Sequence, residues 1–119
     1  MSRRTDRLNE LLREEISWLV SREMRDPRLS VLVTITRVAV SVDLRQAVVY
    51  VSVMGTAEEK QATLEMLRSA AGFLQHSLKP KLDVRHVPAL LFKLDQSIEE
   101  GIRLTQILDT LGPSGEARP

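Results

Sequence analysis

Residues 56–81, TAEEKQATLEMLRSAAGFLQHSLKPK, constrain the fold more than any other stretch. Leu64, Leu67, Ala71, Leu74 and Leu78 recur at spacings of three and four, which places them on one face of a helix. Thr56 with Glu59 three residues on forms a capping box that opens the helix. Pro80 closes it by pushing Lys79 out of helical geometry. Inside the apolar face lie Ser69, Ala70, Ala71 and Gly72. Glycine in a helix interior costs about 1 kcal/mol relative to alanine, so this spot has two readings. It is a place where a neighbouring element packs closely, or it is a break at Gly72 with a second helix beginning at Phe73. His76, Lys79, Lys81 and Arg85 follow in quick succession, so the interruption leads straight into a basic run.

The rest of the chain supplies what this helix must cover. Residues 4–25 form a first helix with Leu8, Leu11, Leu12, Ile16, Leu19 and Val20 as its apolar stripe. Its opposite side mixes arginines with acids at pairing distance along the helix. Arg3, Arg4 and Arg7 outnumber their one close acid, Asp6, and could reach along a phosphate backbone. Pro27 stops the helix near Asp26 and leaves Arg28 with Asp26 as its one local acid partner. Residues 31–42, VLVTITRVAVSV, and 47–53, AVVYVSV, read as strands. The short link through Ser41, Val42, Asp43, Leu44 and Arg45 makes an antiparallel hairpin their simplest pairing. Ala47, Val49, Val51 and Val53 share the face that should meet the helices. A third strand covers residues 89–94, with Pro88 at its start or at an edge, and turns Leu90, Phe92 and Leu94 to one side. It is reached by a crossover and pairs with one of the first two strands. Ser97 and Glu100 form a second capping box before a C-terminal helix through Ile98, Ile102, Ile107, Leu108 and Leu111, stopped by Gly112 and Pro113.

The order helix, strand, strand, helix, break, helix, strand, helix is an α+β plan with helices in one layer and a three-stranded sheet in the other. One domain spans residues 1–111, and 112–119 form a short disordered tail. The core must be aliphatic, because aromatic residues make up only 3% of the 119. The apolar runs are short and interrupted, so no membrane span is expected. The charged N-terminus does not match a signal peptide, and a cytoplasmic location is expected.

Catalysis finds no support in the residue pattern. There is no cysteine, hence no thiolate nucleophile or thiolate metal site. His76 and His86 are ten residues apart and lack an HExxH or HxxxH context, and no serine sits in a GxSxG elbow. Asp95, Glu99 and Glu100 surround a helix start, where the dipole explains them without a metal. Neither a phosphate-binding GxxxxGK[ST] loop nor a GxGxxG fingerprint occurs, so no cofactor is expected. Nucleic-acid binding fits better. A glycine at a helix break lets a backbone approach a phosphate, a new helix start presents free amides there, and the basic run adds attraction. Aromatic stacking is not expected to be the main mode, since Trp18, Tyr50, Phe73 and Phe92 are scattered and mostly read as core.

Several segments together resemble one family. They are Asp26-Pro27-Arg28-Leu29, Ser41-Val42-Asp43-Leu44 leading to Val49-Tyr50-Val51, Ala70-Ala71-Gly72-Phe73, and Arg85-His86-Val87-Pro88 through Phe92, Asp95, Ser97, Gly101 and Arg103. Arg4 and Arg7 also fall where that family tends to have arginine. In order and spacing, over residues 4–108, the chain resembles ribosome-binding factor A, the bacterial small-subunit maturation factors. The resemblance implies a type II KH-like fold in which Ala70-Ala71-Gly72 stands where ordinary KH domains carry a GxxG loop. It also implies binding to immature 30S subunits and 16S rRNA, support for late rRNA maturation and processing without catalysis, and release from the mature subunit. The RNA-binding residues expected on this reading are Arg3, Arg4, Arg7, Arg28, Arg45, Ala70, Ala71, Gly72, His76, Lys79, Lys81 and Arg85, on a protein that is monomeric when free. The competing reading is a module that docks on ribosomal proteins with little RNA contact. The near-balanced charge, 17 basic against 16 acidic residues for a net +1, favours it.

Overall fold

The computed structural model describes residues 3–23, 32–97 and 104–108. Helix α1 spans Arg3–Glu23, strand β1 Leu32–Val40, strand β2 Gln46–Met54, helix α2 Ala57–Ser69, helix α3 Ala71–Leu78 and strand β3 Ala89–Leu94, with a 3-10 turn at Lys79–Lys81. Residues 104–108 are helical. The expected stop at Asp26 and Pro27, the rest of the C-terminal helix with Glu100, and the tail at 112–119 lie outside the described residues.

The sheet order is β1-β2-β3. β1 and β2 pair antiparallel from Leu32↔Met54 to Val40↔Ala47. β3 runs parallel to β2, from Gln46↔Ala89 to Val51↔Leu94. The parallel pairing follows from the α2–α3 crossover, which returns the chain to the end where β2 began. The predicted inward set is buried as read: Ala47, Val49, Val51 and Val53 of β2 meet Leu12, Ile16 and Leu19 of α1, Leu64 and Leu67 of α2, Leu74 and Leu78 of α3, and Leu90 and Phe92 of β3 in one core.

β1 departs from simple alternation. Its register shifts between Ile35 and Arg37, so Thr36 is an extra residue with no partner in β2. The bulge changes parity: Ile35 faces the core before it, Val38 and Val40 after it. Thr36 Oγ1 donates to Asp95 Oδ2 at 2.6 Å and lies 3.2 Å from the Tyr50 carbonyl. Asp95 also accepts the Ser97 amide on Oδ1 at 3.0 Å, and its own amide bonds Val51 O at 2.7 Å. The Thr36 hydroxyl first, then the Ser97 hydroxyl and amide, hold the Asp95 carboxyl down at about 2. The sequence places Asp95 only near a helix start; in the structure it ties the end of β3 to the bulge of β1.

The hairpin turn forms at 41–45. Leu44 N bonds Ser41 O at 2.9 Å, and Leu44 takes a left-handed φ of 62°. Asp43 braces the turn by accepting from Ser41 Oγ at 2.7 Å and Arg45 N at 3.1 Å. The edges of the sheet are partly covered: Asn9 Oδ1 of α1 accepts Val40 N at 2.9 Å, and Arg68 Nη2 of α2 lies 3.4 Å from Phe92 O.

Candidate nucleic-acid interface

The capping box that opens α2 is present as read: Glu59 N donates to Thr56 Oγ1 at 3.1 Å and Thr56 N to Glu59 Oε1 at 2.8 Å. The interruption lies two residues before the expected one. Ala70, with φ −91° and ψ 0°, ends α2, and α3 begins at Ala71 rather than at Phe73. The Ala70 amide is shared between the Met66 and Leu67 carbonyls, both at 3.1 Å, and the ladder resumes with Leu74 N on Ala70 O at 2.9 Å. Ala70 and Ala71 pack against the core, whereas Gly72 is exposed, has no positive φ, and would meet nothing within 4 Å if it carried a Cβ. The bend thus falls where two alanines pack against the core, and neither conformation nor space requires a glycine at 72. Gly72 sits in the first turn of α3, among the amides that have no acceptor within their own helix.

Pro80 also acts differently from expectation. Lys79 keeps a helical conformation, with φ −53° and ψ −49°, and Pro80 lies inside the 3-10 turn that continues α3. At the start of a helical turn the missing N–H of proline costs nothing. The chain then doubles back, and Gln75 Nε2 holds the returning segment by donating to Val87 O at 2.8 Å.

Between α3 and this segment runs an open groove of about 370 Å³ lined by Gly72, Gln75, His76, Lys79, Arg85, His86 and Val87. Gly72, Gln75, His76 and Lys79 follow the i, i+3, i+4, i+7 pattern of one helix face. Two fixed cations and two imidazoles line the groove, and among the described residues no carboxylate does. A second groove, between α1 and β1, differs in kind. It is lined by Asp6, Glu10, Arg13 and Arg37 among others, and Arg13 there is ion-paired to Glu10.

The structure thus brings together Gly72, His76, Lys79 and Arg85, with Ala70 and Ala71 shaping the bend beside them. Lys81 is turned away: its Nζ lies 3.6 Å from Glu15 Oε1 and 4.7 Å from the centre of the Trp18 ring. Arg4 and Arg7 are exposed on α1, and Arg45 is exposed in the hairpin turn. None of the three lines the groove. Arg45 O accepts Ala89 N at 2.8 Å, which places the turn beside the start of β3. Arg28 and the side chain of Arg3 fall outside the described residues. Gln75, His86 and Val87 are not in the expected set; His86 and Val87 belong to the Arg85-His86-Val87-Pro88 segment that carries the resemblance.

The aromatic residues also differ from expectation. Phe92 is core, but Phe73 is 52% exposed and Trp18 45%. Tyr50 lies under the Arg37 guanidinium at 4.0 Å, and Trp18 lies under Lys81 and Arg22. Among the described residues no group of three or more His, Cys, Asp or Glu could hold a metal, and no helix is long and apolar enough to cross a membrane.

Comparison with known proteins gives the family of the chain. The family model described as ribosome-binding factor A matches residues 4–108. A ribosome-binding factor A of Caldanaerobacter subterraneus subsp. tengcongensis is 44% identical over 111 residues, covering 93% of this chain and 91% of the relative. The crystal structure of ribosome-binding factor A from Thermus thermophilus superimposes with a TM-score of 0.66 at 27% identity, over 76% of this chain and 94% of that one. A homology model of the Thermus thermophilus factor, fitted into a cryo-electron-microscopy map of its 30S complex, gives a TM-score of 0.59 at 29% identity, over 82% of this chain and 97% of that one.

Proposed function

The chain belongs to the ribosome-binding factor A family, and on that premise we propose that it is a cytoplasmic assembly factor that binds the immature 30S subunit through 16S rRNA and assists its late maturation and processing without catalysis. The observation that carries the RNA reading is the convergence of Gly72, His76, Lys79 and Arg85 on a groove with no carboxylate among its described lining residues. A phosphate in that groove meets Lys79 and Arg85 by charge and the bare backbone at Gly72 by contact distance. Arg4, Arg7 and Arg45 extend the contact to phosphates beyond the groove. The Thermus thermophilus relative, fitted into a map of its 30S complex, supports the choice of subunit. Specificity rests on the shape of the RNA, since the groove offers few groups that read base edges.

The experiment is binding of the monomeric protein to small-subunit RNA over a salt series. Phosphate neutralisation predicts a steep fall with salt. The double variant Lys79→Ala/Arg85→Ala should lower affinity and flatten the log–log slope by about 1.4, at roughly 0.7 per single-strand phosphate contact. Lys81→Ala should leave the slope unchanged, because Lys81 is engaged by Glu15 and Trp18. A salt-independent affinity would instead support docking on ribosomal proteins, the reading that the net charge of +1 favours.

A further inference from the structure

We propose that Phe73 is a stacking platform for an unpaired nucleobase, one nucleotide along from the phosphate held in the adjoining basic groove. The proposal rests on the RNA-binding reading and adds a base subsite, so that the ligand at this point is single-stranded. It starts from where α3 points its side chains. At about 100° per residue, Leu74 and Leu78 face the core, and Gly72, Gln75, His76 and Lys79 face the groove. Phe73 falls on the flank beyond His76. The residues that could shelter a ring there lie three and four positions away. They are Ser69, Ala70, His76 and Ser77, three of them too short to cover it.

Among the described residues Phe73 is the aromatic that neither the core nor a cation engages. Phe92 is 2% exposed, Tyr50 lies under Arg37, and Trp18 lies under Lys81 and Arg22. Phe73 is left 52% exposed beside a groove whose charged residues, among those described, are all cations. A protein partner wants a contiguous apolar patch. Along the chain this is a single ring, with Ser69 and Ser77 four positions to either side and His76 of the groove three positions on, and a base needs only one ring face for its own π-surface. The charge of the groove selects a polyanion, and the ring selects the part of it whose bases are unpaired.

The test compares full-length wild type, Phe73→Leu and Phe73→Trp against a short unstructured RNA, the same RNA with one abasic site, and its duplex, each at two salt concentrations. Phe73→Leu should bind the single strand about 5- to 100-fold more weakly, keep the wild-type salt slope because no counterion is involved, and bind the duplex as wild type does. Phe73→Trp should retain affinity. Its added indole emission should be quenched by the single strand, against the wild-type baseline of Trp18. Wild-type affinity in Phe73→Leu, an equal loss on the duplex, or a loss confined to whole subunits with naked RNA unaffected would each overturn the proposal. Failure of wild type itself to bind RNA would overturn the RNA reading as well, whereas normal wild-type binding with an indifferent Phe73 overturns the stacking site alone.

Discussion

Replacing Asp95 by asparagine tests whether the Thr36 bulge is fastened electrostatically. Asp95 is held at about 2 from an ordinary 3.8, chiefly by the Thr36 hydroxyl at 2.6 Å. At 1.36 kcal/mol per pH unit this corresponds to a ceiling of about 2.5 kcal/mol in favour of the folded, ionised state. The carboxylate is partly exposed, so solvent reduces the expected contribution to about 1–2 kcal/mol. Because the folded-state value is depressed, the contribution is complete above the unfolded value and is lost as pH falls through the folded one. Linkage with these two values removes about half of it by pH 3. Urea denaturation of wild type and Asp95→Asn should therefore show a gap of about 1–2 kcal/mol at pH 7 that narrows steadily below pH 4. The other carboxylates titrate alike in both proteins and cancel in the difference. Thr36→Val should reproduce the loss at pH 7, and the double variant should cost less than the two single losses added together. A gap that stays constant from pH 7 to pH 3 would refute the argument, since it would show that only packing or shape was lost.

Two other substitutions probe the backbone at positions the structure singles out. Gly72→Ala adds a Cβ that meets nothing within 4 Å, so the melting temperature should rise by the equivalent of up to about 1 kcal/mol, while RNA affinity falls if a phosphate approaches the bare backbone there. Unchanged affinity would show that the glycine serves no close approach. Leu44→Asn relieves a leucine held at φ 62° and should stabilise by about 0.5–1 kcal/mol. A lower melting temperature would mean that the sheltered part of Leu44 outweighs its strain.

Much of the fold was legible because its signals are local. The spacing of Leu64, Leu67, Leu74 and Leu78 marks one helix face, the Thr56–Glu59 pair marks a start, and Val49, Val51 and Val53 mark a strand face. Each of these depends on residues within a turn or two of one another. The bulge was legible in principle: Val33 and Ile35 share one parity and Val38 and Val40 the other, a break that simple alternation passes over. The place of the helix break was not. Propensity singles out Gly72, yet the backbone leaves helical geometry at Ala70, where two alanines meet the core, and the elements that form that core are distant in sequence. The same limit applies to the candidate site. A basic run reads as one patch along the chain, but the 3-10 turn at Lys79–Lys81 splits it, sending Lys79 to the groove and Lys81 to Glu15 and Trp18.

That split changes what the net charge of +1 means. A balanced total suggests weak attraction to any polyanion, but the balance is not uniform over the surface. Glu10 neutralises Arg13, Glu15 holds Lys81, and Glu58 and Glu59 sit at the start of α2, where the dipole favours them. In the groove, by contrast, Lys79 and Arg85 face no carboxylate among the described lining residues. On the proposed reading, affinity for RNA then rests on a small number of phosphates, those in the groove and those that Arg4, Arg7 and Arg45 reach beyond it. A binder built this way holds its target only while the RNA presents phosphate and unpaired base in the right arrangement. Rearrangement of the RNA alone removes enough contacts to release it. Strengthening the nonspecific term should break this dependence. Glu15→Gln frees Lys81, and Glu10→Gln frees Arg13. Together they should raise affinity for unrelated RNA and steepen its salt dependence, while Phe73 and the groove keep their contribution. If affinity for unrelated RNA stays flat, these acids do not restrain the surface and the balance of charge is incidental.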